Sequence, residues 1–188
     1  MNERLARKIA TWSIGQEYGQ ESDEFQIVTY GILLTIESVY KTLVLIALGA
    51  LLGILPETLV FLYGFCGLRL NAGGIHMKTS LGCTAVVMIG WLLSLIGILL
   101  HLSLPVCFGI AVIIFITVLL CAPVTTTNNP IRDQKTKRTK KVRALLFVVF
   151  STIISIFLSD AYRSVLFLAM AFETLTIIPL RKEEQHEA

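Results

Sequence analysis

A histidine and a cysteine lie seven residues apart in a short polar segment between two apolar runs. The segment holds Arg69, Gly73, Gly74, His76 and Cys83. Cysteine attacks a carbonyl carbon as a thiolate, and histidine is the usual base that removes the thiol proton. The residue types therefore predict a cysteine nucleophile, Cys83, that is activated by His76.

Catalysis by this pair is incompatible with one straight helix through both residues. Seven helical residues span about 10.5 Å, whereas a nucleophile and its base must approach to about 3 Å. The glycine pair at 73 and 74 permits a backbone bend, so we expect His76 on a loop that folds back over the next helix. Cys83 is then expected in the first turn of that helix, where the helix dipole stabilises a thiolate.

Neighbouring residues receive supporting roles in this prediction. Backbone amides of Gly73, Gly74 and the first helical turn could stabilise an oxyanion. Arg69 and Lys78 add positive charge, and Asn71 is a candidate to orient His76. A zinc site is not expected, because zinc needs three or four ligands and only His76, Cys83 and Cys66 are near. We expect no metal and no other cofactor.

Composition predicts that the elements around this segment lie in a lipid bilayer. The chain has 188 residues, of which 55% are hydrophobic and 15% charged, and its mean hydropathy is +0.75. A soluble domain carries about 25% charged residues. The apolar residues form unbroken runs rather than stripes, which is typical of membrane-spanning helices.

The runs predict an all-α, polytopic membrane protein with about six transmembrane segments. An amphipathic helix over residues 3–14 precedes them and lies on the membrane surface or in solvent. We expect an N-terminal interfacial region at 1–24, one transmembrane domain at 25–182 and a tail at 183–188. The predicted segments are residues 27–55, 57–70, 81–102, 105–122, 144–159 and 164–180.

A basic loop sets the expected orientation. Residues 123–143 carry seven Lys and Arg residues against the single acid Asp133, and the positive-inside rule places such a loop in the cytoplasm. Counting spans from it puts both termini, His76 and Cys83 on the cytoplasmic side; this count fails before residue 57 if segment 57–70 is re-entrant. The loop binds anionic lipid or an acidic part of a substrate, and a nucleic-acid partner is not expected.

Three further ionisable residues lie inside apolar runs and suggest functional sites by default. Glu37 and Lys41 are four residues apart, so Glu37 either pairs with Lys41 or orients His76. Glu173 is a further candidate partner for Lys41. Together these three residues support an alternative function, a small transporter or exporter subunit with a polar path; a non-catalytic scaffold is a third interpretation.

The pattern Arg69-x3-Gly73-Gly74-Ile75-His76-x6-Cys83 resembles the signature of the accessory gene regulator protein B (AgrB) family. These are integral membrane cysteine endopeptidases of Gram-positive bacteria. Residues 122–131, ahead of the basic run, also resemble a family feature. Members often carry an acid after the Ala-Pro pair and a base before the later proline, where this chain has Thr125 or Thr126 and Asn129.

The resemblance implies a substrate and a reaction. The substrate is a precursor peptide of a cyclic quorum-sensing signal, cleaved on the carboxyl side of the future signal. The acyl group passes to Cys83 as a thioester, and a cysteine or serine of the bound peptide then closes a thiolactone or lactone ring. His76 is the base by the same match, and Arg69 and Gly74 belong to the essential loop. Membrane lipids are expected partners, and homo-oligomerisation is left open.

Overall fold

The computed structural model describes residues 2–14, 22–74, 80–124 and 133–186. Within these ranges the chain is helical and forms no strand, which confirms the all-α prediction. The helices are α1 (Asn2–Ile14), α2 (Asp23–Leu51), α3 (Leu55–Ala72), α4 (Ser80–Leu95), α5 (Gly97–Leu100), α6 (Leu104–Cys121), α7 (Gln134–Ser155) and α8 (Asp160–His186). The four-residue α5 follows α4 after a break at Ile96.

Four helical stretches in the described part of the chain are long and apolar enough to cross a membrane. They are Phe25–Leu51, Leu81–Leu100, Leu104–Cys121 and Asp160–Ile178. In α7, residues 144–155 alone are free of charge and extend only about 18 Å, against a hydrocarbon core of about 30 Å. The chain is therefore a helical membrane protein, and crossing by α3 and α7 stays a prediction.

The chain divides into two compact units, Met1–Leu48 and Gly49–Ala188. The first contains α1 and most of α2. The predicted amphipathic helix is present as α1, and its apolar side chains Leu5, Ile9 and Trp12 are exposed. In α2 the Lys41 Nζ atom lies 3.3 Å from Glu37 Oε2, so these two side chains pair with each other.

In the second unit α8 is the central helix. It packs against α3, α4, α5 and α6, and α7 packs against α3 and α6. The buried face of α6 carries Cys107, Ala111, Ile114 and Val118 at the spacing of successive helical turns. The outer faces of α4, α6 and α7 expose large apolar side chains, as helices in contact with lipid do.

The first break comes earlier than the sequence indicated. Helix α2 ends at Leu51 rather than at Pro56, and Gly53 has a φ of +71°, a conformation that suits glycine. Pro56 lies in the first turn of α3. There its missing N–H leaves no hydrogen bond unmade.

The basic segment is partly helical, contrary to the predicted loop over 123–143. Helix α7 begins at Gln134, because the Asp133 carboxylate accepts hydrogen bonds from the backbone N–H groups of Lys135 and Thr136, at 3.1 Å each. A hydrogen bond from the Thr136 hydroxyl, followed by these two backbone bonds, lowers the pKa of the Asp133 carboxyl. Six of the seven cations therefore lie on a helix.

The last helix is longer than the predicted segment 164–180. Helix α8 begins at Asp160, so residues 160–163 form its first turn instead of a separate turn. It continues to His186, past the predicted start of the tail at residue 183. Arg163 closes the preceding turn: its Nε and Nη2 atoms donate to the carbonyls of Ser155 and Leu158 at 2.9 and 2.7 Å.

Candidate active site

The chain leaves α3 at the predicted glycine bend. Gly73 has a φ of +80° and caps the helix, with its N–H donating to the Arg69 carbonyl at 3.0 Å. A non-glycine residue would be strained in this left-handed conformation. The Gly73 amide thus already donates to a helix carbonyl, and a role for it in stabilising an oxyanion stays a prediction.

The segment after α6 contacts this bend. The Val124 N–H donates to the Ala72 carbonyl at 3.0 Å. A Cβ atom added to Gly73 would lie only 2.8 Å from the Val124 carbonyl oxygen. The residues that follow the Ala122–Pro123 pair therefore pack directly on the end of α3, a contact that the sequence alone did not indicate.

Arg69, in the last turn of α3, pairs with Glu173 of α8. Arg69 Nη1 lies 3.2 Å from Oε2 and 3.5 Å from Oε1 of Glu173. The Glu173 side chain is 0% exposed and that of Arg69 is 15% exposed. The guanidinium carbon also lies 5.5 Å from the Phe65 ring centroid, within the range of a cation–π contact.

Gly74 lies against this ion pair. It is buried, and an added Cβ atom would overlap Glu173 Oε1 and approach Thr176 Oγ1 to 3.2 Å and Arg69 Nη1 to 3.3 Å. Its φ is not in the left-handed region. Glycine is needed at position 74 for space, whereas at position 73 it is needed for conformation.

Cys83 is the fourth residue of α4 and is half-buried. Contacts with α8 show which end of the bundle it occupies. Gly90 of α4 lies against Phe172, and Gly97 of the following α5 lies against Ser164 and Val165, so α4 and α8 run antiparallel. Cys83 precedes Gly90 by seven residues, which brings it to the level of residue 179 on α8. That level is about 9 Å past Glu173, at the same end as Arg69 and Gly74.

Two predicted site residues, His76 and Lys78, lie outside the described residues. The expected approach of the His76 imidazole to the Cys83 thiol therefore stays a prediction. The described positions show that α3 ends at Ala72 and α4 begins at Ser80. The intervening polar segment joins two helix ends at one end of the second unit.

Asn71 bonds within its own helix. Its Nδ2 atom donates to the Gly67 carbonyl at 3.0 Å. Asn71 also lines an open groove of about 610 Å³ along α7, with Arg143 as the other polar side chain and apolar side chains elsewhere. A role for Asn71 in orienting His76 stays a prediction.

One of the two carboxylates in apolar helices, Glu173, has a different partner from the expected one. Glu173 pairs with Arg69, not with Lys41, while Glu37 and Lys41 pair with each other. A role for Glu37 in orienting His76 stays a prediction. The sequence signal for the missed pair was a lone acid in the last apolar run and a lone cation near the end of α3. Among the described residues, no group of three His, Cys, Asp or Glu side chains could hold a metal ion.

Comparison with known proteins identifies the family. The sequence model of accessory gene regulator B (AgrB) matches residues 3–177. Two AgrB-like proteins of Clostridium perfringens, from strains 13 and SM101, are each 30% identical over 169 and 172 residues, covering 84% of this chain and 78% of theirs. Accessory gene regulator protein B of Staphylococcus intermedius is 29% identical over 162 residues, covering 84% of each chain. No solved structure matches.

The family match extends over α1 to the C-terminal half of α8 and includes the whole Arg69–Cys83 segment. It supports involvement in the agr quorum-sensing system, in which a precursor peptide is the implied substrate. The four apolar helices agree with a membrane location. The chain belongs to the accessory gene regulator B family.

Proposed function

We propose that this chain is a membrane-embedded cysteine endopeptidase that cleaves a quorum-sensing precursor peptide and closes its signal into a thiolactone or lactone ring. Cys83 is the nucleophile and His76 the general base. The observation that carries the proposal is the position of Cys83 in the first turn of α4. Helix α4 follows a seven-residue segment, and the start of this segment packs on α8 through Gly74 and on Val124 through Gly73.

The first step transfers the acyl group to the enzyme. The His76 imidazole takes the Cys83 proton, and the thiolate attacks the scissile carbonyl carbon. N–H groups at the start of α4 stabilise the oxyanion that forms. When the C–N bond breaks, the imidazolium gives its proton to the leaving amine, and a thioester on Cys83 Sγ remains.

The second step closes the ring. A cysteine thiol or serine hydroxyl within the bound peptide gives its proton to His76 and attacks the thioester carbonyl. The bond to Cys83 Sγ then breaks, and the Cys83 thiolate recovers a proton from the imidazolium. Transfer between two thiols is nearly even in energy, whereas hydrolysis is strongly downhill, so a site that excludes water protects the intermediate. Holding the internal nucleophile close lowers the barrier by several kcal/mol.

The proposed location is the bacterial cell membrane, with both termini and the site on the cytoplasmic side. The basic residues of α7 support this orientation through the positive-inside rule. The same cations bind anionic lipid, or an acidic part of the precursor. Glu37 pairs with Lys41 and Glu173 pairs with Arg69. Because each acid already has a cationic partner, these ion pairs do not support the transporter alternative.

The test uses purified protein in liposomes with candidate precursor peptides that carry a central Cys or Ser. Mass spectrometry follows cleavage, ring closure and an acyl adduct on Cys83 that hydroxylamine removes. We expect Cys83→Ala to abolish cleavage and His76→Ala to slow it by about 10²–10⁴-fold, the usual contribution of a general base. Cys121→Ala, which removes a thiol at the end of α6, is the matched control and should cleave normally. Full cleavage by Cys83→Ala would overturn the proposal.

A further inference from the structure

Glu173, on the central helix α8, is an acidic side chain that is fully buried. It touches two parts of the polar segment at once. Its carboxylate accepts from Arg69 Nη1, and its Oε1 atom occupies the space that a side chain at position 74 would fill. The end of α3 and the start of the segment that carries His76 are thus both fixed by one carboxylate.

Stability alone gives a weak reason for such a pair. Replacing a buried ion pair by apolar side chains of similar volume is often neutral or stabilising. An ion pair does, however, fix direction: the Arg69 guanidinium is held between the carboxylate and the face of Phe65. Because Gly74 packs against both charged groups, the pair fixes where the chain enters residues 75–79.

His76 follows Gly74 by two residues, so its backbone is at most about 7 Å from that fixed point. The position of Gly74 therefore restricts where the His76 backbone can lie. Cys83 is anchored separately, through the packing of α4 on α8. The distance between base and nucleophile then depends on how Gly74 is held relative to α8.

We infer that Glu173 is a positioning residue: by holding Arg69 and Gly74 in place it restricts where the His76 backbone can lie, and so it supports the activation of Cys83. This inference rests on the proposed function, in which His76 activates Cys83. Glu173 touches no reacting atom in the proposed mechanism. It acts through Gly74, and its loss reduces activation of the thiol while the fold is retained.

The test measures activation of the thiol without a precursor. Cys66, Cys107 and Cys121 are replaced by Ala, and the alkylation rate of Cys83 by iodoacetamide is measured at neutral pH in nanodiscs. An unassisted thiol is only a few per cent thiolate at this pH, so His76→Ala should slow alkylation about tenfold or more. Glu173→Gln should slow it similarly.

A double-mutant cycle separates positioning from a general structural role. If Glu173 acts through His76, then Glu173→Gln should cause no further loss in the His76→Ala background. An additive loss, or alkylation of Glu173→Gln at the parent rate, overturns the inference. Asp160→Asn is the matched control, since Asp160 is also on α8 and also pairs with an arginine; it should react at the parent rate.

A second pair of variants changes the contact between Gly74 and Glu173 without removing the charge of Glu173. Gly74→Ala should slow alkylation, because its methyl group overlaps Glu173 Oε1. Glu173→Asp shortens the acid by one methylene and should restore part of the rate in the Gly74→Ala protein. Parent reactivity of Gly74→Ala, or no restoration, contradicts the inference. Should His76→Ala leave alkylation unchanged, the base assignment of the proposed function fails instead.

Discussion

At the residue scale, buried polar side chains in the second unit are held by named partners. The Trp91 Nε1 atom donates to the buried Thr58 hydroxyl at 3.1 Å, and the Ser164 hydroxyl accepts from the Leu102 N–H at 2.7 Å. Arg163 bonds two carbonyls at the end of α7 and the Asp160 carboxylate. A polar group that is buried in apolar surroundings without a hydrogen bond is costly in free energy. These partners therefore help to fix how the helices join.

We expect Arg163→Met to destabilise the protein. The change removes the Arg163 donors of the Leu158 and Ser155 carbonyls, of which Ser155 keeps the Leu158 N–H. A buried carbonyl left unsatisfied costs about 1–3 kcal/mol. Thermal unfolding in detergent micelles gives the measurement. Asp160→Asn is the control, because its side chain is 59% exposed and should change stability much less. An unfolding temperature for Arg163→Met equal to that of the parent would count against this role.

At the element scale, glycines allow the neighbouring helices to approach α8 closely. Gly64 of α3, Gly90 of α4 and Gly97 of α5 each lie so close to α8 that an added Cβ atom would be 3.0 Å or less from an atom of α8. Small residues at helix contacts are typical of membrane proteins, where close packing replaces the hydrophobic driving force. These three contacts bring α3, α4 and α5 close to the central helix α8.

We expect Gly97→Ala to destabilise the bundle. Its added methyl group would lie 2.8 Å from backbone atoms of Ser164 and Val165, and backbone cannot move aside as a flexible side chain can. Overpacking of this kind costs about 1–3 kcal/mol. Gly109→Ala in α6 is the matched control, because nothing lies within 4 Å of its added Cβ atom. Equal unfolding temperatures for the two variants would contradict the predicted crowding.

At the scale of the whole molecule, the described candidate site residues lie at one end of the second unit. Arg69 and Gly74 contact Glu173 there, and Val124 packs on Gly73. The register of α4 on α8 brings Cys83 to the same end. The joint between α7 and α8 at Arg163 lies at the opposite end. This separation agrees with the span count that followed from the basic residues.

We expect the two ends to face opposite sides of the membrane. In a protein whose other cysteines are Ala, Cys83 should react with a membrane-impermeant maleimide only in inside-out vesicles. An Asp160→Cys substitution in the same background, with Cys83 also replaced, should react only in right-side-out cells. Labelling of both sites from one side would contradict the proposed orientation, whatever the catalytic role of Cys83.

Hydropathy and local pattern were enough to predict the helical membrane class, the amphipathic α1 and the polar segment with its glycine bend. These properties depend on neighbouring residues, so a single sequence contains them. Helix ends were predicted less well. The Asp133 cap and the early start of α8 at Asp160 depend on hydrogen bonds to single side chains, which periodicity does not report.

Residue types and spacing by themselves determined that a cysteine and a histidine stand at a bend between membrane helices. Only the tertiary structure decided what holds the bend. Glu173 is 104 residues from Arg69 in the chain, and no local pattern selects Arg69 over Lys41 as the partner of Glu173. The selection follows from packing, because α3 lies along α8 and brings Arg69 level with Glu173. Gly74 fits there because it has no side chain.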